Sequence, residues 1–144
     1  MLLPSEIAGV IPQAIDKAQL DIEAIDFFSD RIYLKPLLAR EGGRCFYCLR
    51  SIIAESCELD HVVSQMNGRD NSHRNIVCAC HECNTTKQAQ SASDFLRALY
   101  RKGLLNQAEM ESRVEQLAQL QSGVLPIDIS SMRSNKPLER TRER

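Results

Sequence analysis

Four of the six cysteines in this 144-residue chain form two Cys-x-x-Cys pairs, Cys45-Phe46-Tyr47-Cys48 and Cys80-His81-Glu82-Cys83, separated by 31 residues. Such a turn aims two thiolates at a point about 2.3 Å from each sulfur, and two turns complete the closed tetrahedral shell of a structural Zn²⁺. Closing that shell staples the start of the segment to its end, which matters because the piece is too small to be held by apolar burial alone. Cys57 and Cys78 stand singly in strand-like runs and are expected to be core thiols. Cys78 and His81 lie close enough to the second pair to compete as ligands, and the spacing leaves that choice open.

Between and just after the cysteine pairs lie Asp60-His61, then Asn75 after 13 intervening residues, then Asn84 after eight more, with Lys87 closing a Cys-Asn-x-x-Lys ending. Taken singly, these residues have bland explanations: an Asp-His pair at a strand end is usually structural, Asn84 suits a helix cap and Asn75 a turn. Their joint spacing inside a double Cys-x-x-Cys frame resembles the HNH endonuclease family. The likeness is to the subgroup whose ββα-metal (His-Me finger) core is bracketed by two zinc pairs and whose last motif position is asparagine. It spans about residues 44 to 90.

The resemblance implies an α+β core stapled by a four-cysteine zinc site, with helical flanks on both sides. It also implies an enzyme that hydrolyses DNA to leave 5′ phosphate and 3′ hydroxyl ends. The residue types suit that chemistry. Phosphodiester hydrolysis needs an activated water, charge neutralisation at phosphate and help for the departing oxygen. Asp60 is a hard ligand for Mg²⁺ or Mn²⁺, and the Asn84 carbonyl completes a sparse two-ligand site. An imidazole, with an unperturbed pKa near 6.5 as a residue type, suits proton abstraction near neutral pH, which makes His61 the natural general base. Asn75, by resemblance, ties down the backbone of the long loop so that His61 is aimed. Lys87, Arg69 and Arg74 are the candidate phosphate contacts. In a regular strand Asp60 and His61 point to opposite faces, so a shared centre requires the strand to end or bend between them.

The elements that must position these residues are legible in outline. Ile15, Ala18, Ile22, Ile25, Phe28 and Ile32 recur at steps of three and four, which predicts a helix stopped by Pro36, and Glu41-Gly42-Gly43-Arg44 is a turn signal. Residues 57–63 and 75–80 have strand-like length and β-branched content, separated by the polar stretch 64–74. Ser91 with Asp94, and Asn106 with Glu109, have capping-box spacing ahead of two amphipathic helices that Gly103 and Gly123 would end. The resulting division is a helical extension over 1–44, a zinc-bound nuclease core over 45–90, helices over 91–126 and a basic, disordered tail over 127–144.

Composition narrows the setting. With 43% hydrophobic and 26% charged residues and a mean hydropathy of -0.30, the chain is neither wholly disordered nor membrane-spanning. The opening MLLPSEIAGVIPQAID carries an early acid instead of a basic leader, so secretion is not expected. Cysteines paired for metal then fit a reducing, cytoplasmic setting. The net charge of -1 excludes a protein that coats DNA over its whole surface, and the basic bias is confined to the C-terminal end. The helical flanks suit covering the core, forming a homodimer or docking a protein partner. Two rivals to the enzyme remain: a noncatalytic zinc module binding nucleic acid or protein, and a redox protein using the four cysteines, which leaves the Asp60, Asn75 and Asn84 spacing without a purpose.

Overall fold

A computed structural model describes residues 22–130. Ile15, Ala18 and the basic residues of the tail lie outside the described residues. The sheet has two antiparallel strands, β1 (Glu58–His61) and β2 (Ile76–Ala79), with Asp60 opposite Val77 and His61 opposite Ile76. Helix α1 (Leu34–Arg40) precedes them, and α2 (His81–Lys87) follows β2 directly and packs on β1. Two longer helices, α3 (Ala92–Arg101) and α4 (Gln107–Ser122), pack against each other. The chain is thus α+β, with a ββα unit formed by β1, β2 and α2.

The N-terminal periodicity does not produce one continuous helix. The chain is non-helical from 25 to 30, makes a 3-10 turn over Arg31–Tyr33 and only then enters α1. Pro36 does not stop a helix; it lies buried in the first turn of α1. At that position its missing N–H would have had no helical partner, so the helix runs on through it.

Strand β2 would be an open edge on the side away from β1, and three neighbours close it. The buried Arg40 guanidinium donates to the Ile76 carbonyl at 2.6 Å, the Glu41 carboxylate accepts from the Cys78 N–H, and Phe46 N–H donates to the Cys78 carbonyl. Arg40 and Glu41 also pair with each other at 3.0 Å. An unpaired strand edge buried without such partners would be costly. The end of α1 is therefore part of the sheet's hydrogen-bonding scheme.

The C-terminal helices form as the caps predict. Ser91 accepts from Asp94 N–H at the start of α3, and Asn106 and Glu109 make the full reciprocal box at the start of α4. Phe95, Leu96 and Leu99 of α3 and Leu117 and Leu120 of α4 are buried. Phe95 stacks edge-on against Tyr47, with ring centroids 5.3 Å apart. Arg113 donates to the Phe46 carbonyl at 2.9 Å and lies over the Phe46 ring. Both contacts land in the first Cys-x-x-Cys turn, so the helical pair braces the metal-ligand end of the core. Gly123 ends α4 at φ 84, and a Cβ there would fall 2.6 Å from the Arg74 guanidinium carbon.

Candidate active site

Cys45, Cys48, Cys80 and Cys83 converge, with their sulfurs all within 4.8 Å of one another. The Cys48 and Cys80 sulfurs are 3.8 Å apart, which matches the edge of about 3.8 Å of a tetrahedron with 2.3 Å metal–sulfur bonds. Backbone N–H groups of Tyr47 and Cys48 donate to the Cys45 sulfur, and that of Cys83 donates to the Cys80 sulfur. Hydrogen bonds from Cys45 and Cys83 lower the Cys48 thiol to about 3, and the same crowding pushes Cys83 up. Four thiolates can coexist here only with a cation to neutralise them, so the donor set fits Zn²⁺. The competing ligands fall away: His81 is exposed and bonds Glu58, while Cys78 is buried against Cys57.

Asp60 and His61 meet at the end of β1. The strand stops at His61, which supplies the break that a shared centre requires. Both side chains border an open cleft of about 300 Å³ whose other walls include Phe28, Ser64, Met66 and Gln88. Asp60 Oδ2 accepts from the Tyr47 hydroxyl at 2.7 Å and from the Lys87 ammonium at 3.2 Å. Its Oδ1 has no partner among the described residues. Burial and the neighbouring Asp60 carboxylate push the Tyr47 phenol up, so it remains a donor. Tyr47 thereby joins the first cysteine turn to Asp60.

Asn75 is 3% exposed and bonds only backbone with its side chain. Its Oδ1 accepts from Val63 N–H, and its Nδ2 donates to the Val63 and Asp70 carbonyls. These bonds tie Asn75 to the start and the middle of the 63–75 loop, and its hydrogen-bond partners are all backbone groups. Asn84 is the central residue of α2 and, unlike Asp60 and His61, is not among the residues that line the cleft. Its Nδ2 donates to Glu58 Oε1 at 2.8 Å, leaving Oδ1 without a partner among the described residues. Glu58 lies below its usual carboxylate range because Asn84 and His81 donate to it.

The expected phosphate contacts need correction. Lys87 is 1% exposed, and its ammonium is spent on Asp60 and the His61 carbonyl; a buried ammonium so engaged does not reach a DNA backbone. Arg74 makes two bonds to Glu23 and a third to the Ser122 carbonyl, joining the N-terminal segment to the end of α4. Arg69 alone of the three is exposed without a partner among the described residues. Lys87→Met is expected to cost about 3–5 kcal/mol of unfolding free energy, because Asp60 stays buried without its cation. DNA affinity and its salt slope should be unchanged. A flattened salt slope with an unmoved denaturant midpoint would restore Lys87 to the phosphate backbone.

Several residues at this site carried no signal in the motif spacing. Asn71 Oδ1 lies 2.7 Å from His61 Nε2, Gln65 is 3.1 Å from the same atom, and the Phe28 ring sits 4.4 Å from the imidazole. Tyr47 is one of the two aromatics inside the first pair, and nothing in the spacing singled it out, nor Asn71 or Phe28.

Residues 45–90 match the family model described as HNH endonuclease. That segment holds the ββα unit and the cysteine cluster. Over 51 residues the chain is 39% identical to the CRISPR-associated endonuclease Cas9 of Actinomyces naeslundii, covering 35% of this chain and 5% of that protein. It is 37% identical over 49 residues to the Cas9 of Corynebacterium diphtheriae, covering 33% of this chain and 4% of that one. The crystal structure of the type II-C Cas9 enzyme from Actinomyces naeslundii shares the fold, with a TM-score of 0.51 at 24% identity over 84% of this chain and 15% of that one. The chain therefore spans a small fraction of the length of these relatives.

Proposed function

We propose that this chain is a metal-dependent endonuclease unit that hydrolyses phosphodiester bonds in DNA. The observation that carries this reading is the pairing of Asp60 and His61 on one cleft, with Asp60 Oδ1 left open while Tyr47 and Lys87 anchor Oδ2. Asp60 Oδ1 and Asn84 Oδ1 would hold the divalent ion, Mg²⁺ or Mn²⁺, both being hard oxygen donors. When bound, that ion supplies charge neutralisation at the scissile phosphate and at the departing oxygen. His61 takes the proton from the attacking water. Asn75 keeps the loop after His61 in place, and Tyr47 and Lys87 keep Asp60 from rotating. Glu58, acceptor only, turns the Asn84 amide so that its oxygen is the free end. The names of the Cas9 relatives support a nuclease, and the restricted basic surface agrees with Arg69 and the C-terminal tail as the backbone contacts. The zinc held by the four cysteines is structural in this reading, and its thiolates suit a reducing compartment such as the cytoplasm.

A nicking assay with supercoiled plasmid tests it directly. Wild-type chain with Mg²⁺ or Mn²⁺ should nick, and Asp60→Ala and Asn84→Ala should shift the divalent-metal titration to higher concentration. Absence of nicking with either ion, in protein that holds zinc and binds DNA, would leave a noncatalytic zinc module. Titration curves identical to wild type would remove Asp60 and Asn84 as ligands.

A further inference from the structure

The imidazole of His61 is held from outside the segment that matches the HNH model. Residues 26–29 form a tight turn in which Asp26 Oδ1 accepts from the N–H groups of Phe28 and Ser29, each at 2.9 Å, and Oδ2 accepts from the Ser29 hydroxyl at 2.8 Å. The same Oδ2 accepts from Asn71 Nδ2 at 3.1 Å. The two segments are also joined through their backbones, with Phe27 N–H donating to the Asn71 carbonyl at 2.8 Å. Asn71 in turn places Oδ1 2.7 Å from His61 Nε2. Phe28, from the same turn, tilts against the ring.

This chain of contacts has a direction. The N–H groups of Ser29 and Phe28 hold the Asp26 carboxyl down at about 2, so it is ionised at any pH where the protein works. An ionised carboxylate only accepts hydrogen bonds. Asn71 must therefore offer it the NH₂ end of its amide and turn its oxygen toward His61. An amide oxygen also only accepts, so the neutral imidazole carries its proton on Nε2 and its lone pair on Nδ1. The Gln65 amide nitrogen, a donor, also stands 3.1 Å from Nε2 and by itself favours the opposite tautomer; it is exposed and no carboxylate fixes its amide, so it turns over to the polarity that Asn71 sets. Nδ1 has no partner among the described residues.

We propose that Asp26 and Asn71 are positioning residues that lock His61 in the Nε2–H tautomer, leaving Nδ1 as the atom that accepts the proton of the attacking water. The catalytic consequence rests on the endonuclease reading of the cleft; the tautomer stands without it. The relay also gives the N-terminal segment a role that its amphipathic pattern did not suggest. It supplies the outer partner of the general base, as a carboxylate behind a ligating histidine does in metal sites.

The test reverses the polarity of the relay in the full-length, zinc-loaded chain. In Asp26→Asn, the new amide keeps its oxygen for the Phe28 and Ser29 N–H groups and presents NH₂ to Asn71. The Asn71 amide then turns over and donates to His61 Nε2, which moves the ring proton to Nδ1. Nitrogen-15 spectra of the imidazole, read without added divalent metal, should show Nε2–H in wild type and Nδ1–H in this variant. With Mg²⁺ present, kcat should fall by about 10–100-fold, the range for outer partners of this kind, while KM stays within about twofold. The exchanged pair Asp26→Asn with Asn71→Asp puts an acceptor back beside Nε2 and should restore both the tautomer and the rate.

Asn71→Ala leaves the Asp26 turn intact and should give a mixture of tautomers, a readout that holds even if Asp26→Asn does not fold. An unchanged Nε2–H signal in Asn71→Ala overturns the relay, as does failure of the exchanged pair to recover the wild-type spectrum. Tautomer reversal in Asp26→Asn, combined with a wild-type chain that leaves DNA intact, supports the relay and removes the endonuclease reading.

Discussion

His61→Ala is expected to lower the single-turnover cleavage rate at saturating DNA by about 10²–10⁴-fold, the usual contribution of a positioned general base. Zinc content and DNA affinity should remain close to wild type, because a base that acts on the attacking water contributes to the transition state and little to ground-state binding. The structure makes the substitution a clean one on the fold side. The His61 side chain is partly exposed on the cleft, and its neighbours Asn71 and Gln65 are polar groups that water can satisfy in its place. The bonds that hold the end of β1, from Lys87 to the His61 carbonyl and from Val62 N–H to the Asn75 carbonyl, involve only backbone at these positions and survive the change. A near-normal rate would take His61 out of the mechanism.

Stripping the metal from the four-cysteine cluster is expected to have the larger effect on the fold. Structural zinc sites of this type contribute an apparent binding free energy of about 10–16 kcal/mol near neutral pH, comparable with the whole stability of about 5–15 kcal/mol of an ordinary domain. The consequence should reach the cleft, because Tyr47 lies between two of the ligands and donates to Asp60, while Phe95 of α3 stacks on the same ring. A chelator titration should therefore show loss of cooperative thermal unfolding together with loss of cleavage. Cys83→Ser should reproduce it, with less than one zinc per chain. A metal-free chain with an unchanged melting temperature and circular dichroism would show that apolar packing suffices and that the cluster is not a structural site.

What the residues disclosed in sequence were features set over short distances. The two Cys-x-x-Cys turns, the cap of α3 by Ser91 and the reciprocal box of Asn106 and Glu109 involve residues two or three apart, and β2 shows in its β-branched Ile76-Val77, whereas β1 over Glu58–His61 holds no β-branched residue. The same holds for the division of Asp60 and His61 at the end of a strand, which spacing alone flagged as a requirement. Periodicity was less informative where local preference met tertiary demand. Ile25, Phe28 and Ile32 kept helical spacing, yet the chain over 25–30 turns instead, because Asp26 satisfies the N–H groups of Phe28 and Ser29 with its own side chain and competes with the helix.

Only the tertiary structure decided which charged groups were free. Lys87 and Arg74 read as surface cations, since composition says nothing of burial; one lies under Asp60 and the other is spent on Glu23, 51 residues away. The partners of His61 were equally hidden. Asn71 meets His61 across 10 residues and Asp26 across 45, and no local period or motif encodes a contact that exists only after the N-terminal turn has packed against the loop between the strands. The residue types that could do the chemistry were visible along the chain. Their orientation was not, because a hydrogen-bond polarity running from a carboxylate through an amide to an imidazole is a property of three side chains brought together from separate segments.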